Sequence, residues 1–63
     1  MAYYYLAIID ENNNNLSGAL NYALKAIEVN KQFREGYQLV AQIYEKMGDN
    51  QNAARYRQAF ENK

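Results

Sequence analysis

Few residues of this chain have the types and spacing that could support chemistry. Asp10 and Glu11 are its one adjacent pair of carboxylates. Paired carboxylates can serve as general acid and base, but neighbouring side chains on a helix diverge by about 100° and do not converge on one substrate. We expect both carboxylates to lie on a solvated helix end, and we predict that the chain is not an enzyme.

The composition removes several other kinds of site. There is no Cys and no His, which excludes disulfides, zinc sites built on thiolate or imidazole, and Cys or His catalysis. The chain has no Gly-rich phosphate loop and no nucleophile beside a base. We therefore expect no metal and no cofactor. The lack of Cys fits a reducing compartment without requiring one, and a cytoplasmic location is favoured.

The charges argue against nucleic acids and membranes as partners. Seven basic and seven acidic residues give a net charge of zero, whereas nucleic-acid binding depends on clustered cations. Lys25, Arg34, Arg55 and Arg57 are scattered along the sequence. No apolar run approaches the roughly 18 residues that a membrane span needs. The start, MAYYYLAIIDE, has no basic region and does not resemble a signal peptide.

Apolar residues at helical spacing predict four helices in a single domain. The predicted ranges are 2–12, 16–29, 32–47 and 51–62. The run Asn12–Asn15 is a turn signal, Gly48 is a natural residue for ending a helix, and Asn15, Asp49 or Asn50 can cap the helix that follows. Stripes of apolar residues define the expected core. They are Tyr3, Leu6, Ala7 and Ile9 or Asp10; Leu20, Ala23, Leu24 and Ile27, with Ala19, Tyr22 and Ala26 beside them; Phe33, Tyr37, Val40, Ala41 and Tyr44; and Ala53, Tyr56, Ala59 and Phe60.

The join between the second and third helices carries no Pro or Gly. One long helix over 16–47 is therefore an alternative, and a fused helix would favour domain swapping. However, the apolar stripe slips by about two residues there, roughly 200° around a helix of 3.6 residues per turn. A turn at 30–32 is the better interpretation.

The sequence repeats itself at a fixed offset of about 34 residues. This offset separates Tyr3 from Tyr37. The same offset aligns Ala7 with Ala41, Ile9 with Ile43, Glu11 with Glu45, Ala19 with Ala53, and Tyr22 with Tyr56. Small residues beside each tight turn let two helices approach closely. We therefore expect two helical hairpins with alanines packed at each bend, one repeat at about 1–31 and the other at about 32–63.

This arrangement resembles the tetratricopeptide repeat family, whose helix–turn–helix unit is about 34 residues long. The match is best in YQLVAQIYEKMGDNQNAARY, where Tyr37, Val40, Ala41, Tyr44, Gly48 and Ala53 fall on signature positions. In the first copy Tyr3, Leu6, Ala7, Ala19 and Ala26 do so. Asp10, Lys31, Arg57 and Phe60 depart from the family pattern. The resemblance implies an all-α fold of antiparallel helical hairpins stacked as two repeats, a fragment of an α-solenoid.

The resemblance also implies a role in protein–protein interaction. Members of the family bind a peptide or partner helix in a groove lined by the first helix of each repeat. Carried over by position, the partner-binding residues are Tyr4, Ile8, Glu11, Glu35, Gln38, Gln42 and Glu45. An ordinary solvated helix face is the alternative for Gln38, Gln42 and Glu45. Some members of the family grip a C-terminal carboxylate with cationic and Asn side chains. In this chain the corresponding positions hold Tyr4, Ile8, Gln38 and Gln42, which argues against a C-terminal carboxylate as the ligand.

Two repeats are fewer than the three usually needed for stability, and a stack exposes apolar end faces. We expect self-association through these ends, as a homo-oligomer or a domain-swapped form. Tyr is also favoured at interfaces. The self-association residues are Tyr4, Tyr5, Ile8 and Ile9 at one end and Tyr56 and Phe60 at the other. Self-assembly as the function itself is the alternative to peptide binding.

Overall fold

A computed structural model describes residues 2–61, which form four α-helices and no strand. The helices are α1 (Ala2–Asn12), α2 (Leu16–Val29), α3 (Arg34–Lys46) and α4 (Asn50–Glu61). α1 packs on α2 and α3 packs on α4 as antiparallel hairpins, and α2 packs on α3 to join the hairpins. The predicted all-α architecture is confirmed. Within residues 2–61, no helix combines the length and the apolar character that crossing a membrane requires.

The first two helices have the predicted bounds, whereas α3 begins at Arg34 rather than at residue 32. Asn30 explains the later start. Its side-chain Oδ1 accepts from the Gln32 N–H at 3.2 Å, and its carbonyl accepts from the Phe33 N–H at 3.1 Å. These two bonds form a turn in place of helix, so α2 and α3 are separate helices. The predicted end of the fourth helix, residue 62, lies outside the described residues.

The turns within the two hairpins have the same geometry. Asn14 and Gly48, which are equivalent positions of the repeat, both have positive φ angles, 64° and 84°. The N–H of Asn15 then donates to the Asp10 carbonyl at 2.8 Å, and the N–H of Asp49 donates to the Tyr44 carbonyl at 2.9 Å. This is the Schellman arrangement, in which a left-handed residue satisfies carbonyls at the helix end.

The residue after each left-handed position also caps the next helix. Asn15 Oδ1 accepts from the Gly18 N–H at 3.4 Å, and Asp49 Oδ1 accepts from the Asn52 N–H at 3.2 Å. Such caps satisfy backbone donors that a helix start leaves free. One residue therefore ends one helix and begins the next in both hairpins.

Aromatic contacts repeat at the same offset. Tyr3 stacks on Tyr22 with ring centroids 6.0 Å apart and planes at 26°, and Tyr37 stacks on Tyr56 at 6.3 Å and 27°. Each pair joins the two helices of one hairpin. The sequence repeat is therefore also a structural repeat.

The four alanines beside the turns are buried, as predicted: Ala7, Ala19, Ala41 and Ala53. The core also contains two large residues of α3 that the predicted stripe left out, Leu39 and Ile43. α3 packs against both α2 and α4, so its buried arc is wider than a single stripe. Four residues expected in the core are exposed instead: Tyr3, Leu6, Ile9 and Ala59.

Candidate interaction surfaces

Glu11 is buried between the two hairpins. The sequence had predicted a solvated position on a helix end and contact with a partner. Gln42 Nε2 donates to Glu11 Oε2 at 2.8 Å, and Lys46 Nζ lies 3.2 Å from the same oxygen. The Glu11 side chain is 6% exposed, so these contacts occupy it within the chain. Asp10, its sequence neighbour, is half-buried. Side chains of α3 therefore surround the Glu11 carboxylate, where the sequence predicted solvent.

Of the other α1 residues of the predicted groove, Tyr4 also contacts the start of the second hairpin. Tyr4 and Ile8 are half-buried and pack on the core. The Tyr4 ring meets the Phe33 ring edge-on, with centroids 5.0 Å apart. This half of the predicted groove forms part of the junction between the hairpins.

The groove residues of α3 lie on a more open surface. Glu35, Gln38, Gln42 and Glu45 are all exposed, and the last three line a common cavity of about 240 Å³. Ala41 of α3 and Arg57, Phe60 and Glu61 of α4 complete that cavity. Arg57 forms an ion pair with Glu45 across it. The structure thus brings three predicted residues together against α4, and one of them, Gln42, also contacts Glu11 of α1.

The two residues predicted to form the second self-association end are held within the second hairpin. Tyr56 is half-buried and stacks on both Tyr37 and Tyr44, at 6.3 and 5.7 Å between ring centroids. Burial raises the pKa of the Tyr44 phenol, and the charges of Tyr56 and Asp49 add to the increase while Arg55 opposes it. Tyr56 is therefore an internal contact of the hairpin and not an apolar end.

Phe60 is covered by a cation from the other helix of its hairpin. The Arg34 guanidinium carbon lies 4.8 Å from the centre of the Phe60 ring, and Arg34 Nη2 donates to the Phe60 carbonyl at 3.2 Å. A guanidinium over an aromatic face is attracted by the ring quadrupole. Arg34 and Arg57 give this end of the molecule a polar surface in place of the predicted apolar one.

An exposed apolar stripe lies at the other end, on α1. Ala2, Tyr5, Leu6 and Ile9 follow one another at the i, i+3, i+4, i+7 spacing of a helix stripe, which we name the outer face of α1. Tyr5 is 64% exposed, Ile9 54% and Leu6 39%. Of these, Tyr5 and Ile9 were predicted to mediate self-association, whereas the exposure of Leu6 was not foreseen.

The internal repeat shows how such a stripe is normally covered. The equivalent residues of the second repeat are Gly36, Leu39, Val40 and Ile43, and all four are buried. Gly36 approaches α2 so closely that an added Cβ would lie 2.5 Å from Ile27 Cγ2. The outer face of α1 is thus the equivalent of the surface by which α3 packs on α2. Comparing the burial of equivalent residues in the two repeats identifies the outer face of α1 as an uncovered contact surface.

Comparisons of the chain with protein-family models, with curated proteins and with solved structures found no match.

Proposed function

We propose that this chain is a helical-repeat module for protein–protein interaction, related to the tetratricopeptide repeat, and that the outer face of α1 is its docking surface. The observation that carries the proposal is the contrast between this exposed stripe and its buried equivalent on α3. Exposed apolar surface of this kind on a small protein usually marks an interaction site.

The junction between the hairpins indicates the chemistry of the partner. The equivalent stripe on α3 packs against α2, whose buried residues include Ala23, Ala26 and Ile27. Small residues there allow close backbone approach, and Ile27 fills the space that Gly36 leaves. A partner for the outer face of α1 should therefore present a helix with an apolar stripe and no charge at its centre.

The proposal can be tested by supplying that partner within one chain. A copy of residues 1–34 placed before residue 1 preserves the repeat period and should position a second α2 helix over the outer face of α1. The copy carries Ile27→Leu, because Ala2 has a Cβ where α3 has Gly36 and that Cβ would otherwise meet Ile27 Cγ2. Because the chain has no Cys, Ile9→Cys in the original copy provides a single reporter thiol. We expect its alkylation to slow at least tenfold in the extended chain, and the free energy of unfolding to rise.

Two controls separate coverage from general stabilisation. Ala54→Cys on the exposed side of α4 should be alkylated at the same rate in both chains. Ile27→Glu in the added copy should restore the reactivity of the reporter at position 9. Equal reactivity of that reporter in the original and extended chains would contradict the proposed docking surface.

The cavity between α3 and α4 supports a second candidate, binding of an extended peptide. Gln38, Gln42 and Glu45 offer amide and carboxylate groups along one side of the cavity, and such groups can pair with a peptide backbone. Peptides selected from a displayed random library should lose binding with Gln38→Ala and keep it with Ile9→Glu. Recovery of no peptide that depends on Gln38 would remove this candidate.

A further inference from the structure

We infer that the outer face of α1 binds the same face of a second copy of this chain, giving a closed two-fold dimer rather than an open filament. The inference rests on the docking surface proposed above and names its occupant. Two features of the described residues support it: the chain lacks the surface that a head-to-tail contact would need, and the outer face of α1 is complementary to itself.

A head-to-tail contact would require a surface like that of α2 at the far end of the molecule. The buried residues of α2 include Ala23, Ala26 and Ile27, and Ile27 lies against Gly36 of α3. Their equivalents in the second repeat, on α4, are Arg57, Phe60 and Glu61. Two of the three positions have changed from small or aliphatic residues to charged ones.

These charges make the far end a poor partner for an apolar stripe. Arg57 is paired with Glu45, both side chains are about half exposed, and the Arg34 guanidinium covers the Phe60 ring. An apolar helix placed there would remove water from the ion pair and offer no compensating charge, which is unfavourable. Head-to-tail contacts that do not close produce open assemblies, so this polar end prevents filament growth.

The outer face of α1, in contrast, has no charged side chain of its own helix directed toward it. The two carboxylates of α1 point elsewhere. Glu11 is bonded to Gln42 and Lys46 of α3, and Asp10 Oδ2 lies beside Gly18 of α2, 2.8 Å from the position that a Cβ would take. Two such faces can therefore meet without burying a charge.

The spacing of the stripe also suits a pair of identical helices. Residues at i, i+3, i+4 and i+7 form the seam of a packed helix pair, and a two-fold axis makes the contact surface of one copy the same as that of the other. Ala2 gives room at the ends of the seam, while the Tyr5 hydroxyl can remain at the edge in water. One stripe per chain makes a small interface, below about 1,200 Å² in total, so we expect a weak and concentration-dependent dimer.

Sedimentation of the intact chain tests the inference directly. Between about ten micromolar and about one millimolar, the average mass should rise from one chain to two and no further. Ile9→Glu, and the milder Ile9→Ser, should keep the chain monomeric with unchanged helix content by circular dichroism. Ala54→Glu on the exposed side of α4 is the matched control and should leave the dimer intact.

A cross-linking experiment gives independent evidence on the arrangement. Tyr5→Cys places one thiol near the centre of the proposed seam, and mild oxidation should then yield a disulfide-linked dimer in high yield. Ala54→Cys should yield little. Because the proposed two-fold arrangement brings position 5 close to itself, failure of Tyr5→Cys to cross-link at concentrations where the mass doubles would overturn the proposed geometry.

The remaining outcomes distinguish this inference from the proposed function. A monomer at every concentration would overturn the dimer, while protection of the thiol at position 9 by the added hairpin would still support the docking surface. Masses above two chains would indicate head-to-tail growth and contradict the inference. A dimer that survives Ile9→Glu would indicate exchange of helices between chains and also contradict it.

Discussion

Gln42 Nε2 donates a hydrogen bond of 2.8 Å to Glu11 Oε2 and so joins α1 to α3 directly. Glu11 is buried, so removal of Gln42 leaves a buried carboxylate with Lys46 as its remaining neighbour in this contact. A buried acceptor that loses its donor is costly. We expect Gln42→Ala to lower the free energy of unfolding by about 1–2 kcal/mol, measured by urea denaturation.

The effect should depend on the carboxylate. In a Glu11→Gln background, Gln42→Ala should cost less, with a coupling of about 1 kcal/mol between the two changes. Gln38→Ala, one turn earlier on α3, is the matched control and should change stability by less than about 0.5 kcal/mol. Equal effects of Gln42→Ala and Gln38→Ala would show that the contact contributes nothing to stability.

Gly36 is a second position with a sharp expectation, because it lies where α3 approaches α2 closely. A Cβ there would lie 2.5 Å from Ile27 Cγ2 and 2.9 Å from the Phe33 ring. Gly→Ala in a helix normally gains up to about 1 kcal/mol, but overpacking costs about 1–3 kcal/mol. We expect Gly36→Ala to destabilise the chain in thermal and urea unfolding.

The clash can be isolated with a second substitution. Ile27→Leu removes the Cγ2 atom, so Gly36→Ala should be less harmful in that background than in the original chain. Gly18→Ala provides a comparison, because the atoms nearest to its added Cβ are the ends of the flexible Asn15 and Asp10 side chains. If Gly36→Ala proves as mild as Gly18→Ala, the close approach of Gly36 to Ile27 imposes no steric cost on a Cβ at position 36.

Substitutions at the two left-handed turn positions, Asn14 and Gly48, should change the unfolding free energy in opposite directions. Adding a Cβ should lower it and removing one should raise it. Gly48 has no penalty at its φ of 84°, whereas Asn14 at 64° carries a Cβ. A Cβ in the left-handed region costs roughly 1 kcal/mol, so Gly48→Ala should lower the unfolding free energy by about that amount. Asn14→Gly should raise it by about 0.5 kcal/mol. Destabilisation by Asn14→Gly would mean that the Asn14 side chain stabilises its turn by other contacts.

Tyr44 should make the fold sensitive to alkali. Burial raises the pKa of its phenol above the ordinary value of 10.0, with further increases from Tyr56 and Asp49. The folded chain therefore holds this proton more tightly than the unfolded chain, so the associated stability is present below pH 10 and falls as the pH rises above it. Urea unfolding followed across this range should show a steeper loss for the original chain than for Tyr44→Phe.

The comparison near neutral pH serves as the control for that experiment. Both chains keep position 44 uncharged there, so their difference in unfolding free energy should not change with pH. Parallel curves on both sides of pH 10 would show that the phenol contributes nothing to the alkaline response.

The helices and turns could be predicted from the sequence because their signals are local. The Asn run and the Gly-Asp pair are turn signals wherever they occur, and the internal repeat makes one turn predict the other. The late start of α3 was missed because the Asn30 side chain forms its own turn, and an Asn without Gly or Pro is a weak signal. The hydrogen bond from the Gln32 N–H to the Asn30 side chain is the physical cause of the later helix start.

The errors at the candidate surfaces come from contacts between distant residues. Glu11 was predicted to be solvated because its hydrogen-bond partner, Gln42, lies 31 residues later in the sequence. Phe60 similarly looked like an exposed end because its cover, Arg34, lies 26 residues earlier. Leu39 and Ile43 were missed because α3 packs on two neighbours. A single apolar stripe indicates one buried side of a helix, and α3 has two.

The contact between Arg34 and Phe60 also affects how the molecule opens. The last turn of a terminal helix usually frays independently, at little free-energy cost. Here Arg34, the first residue of α3, holds both the ring and the carbonyl of Phe60 near the end of α4. Fraying of the last turn of α4 must therefore also break this contact. Amide protection near Phe60 should consequently be higher than at a helix end that no other element holds.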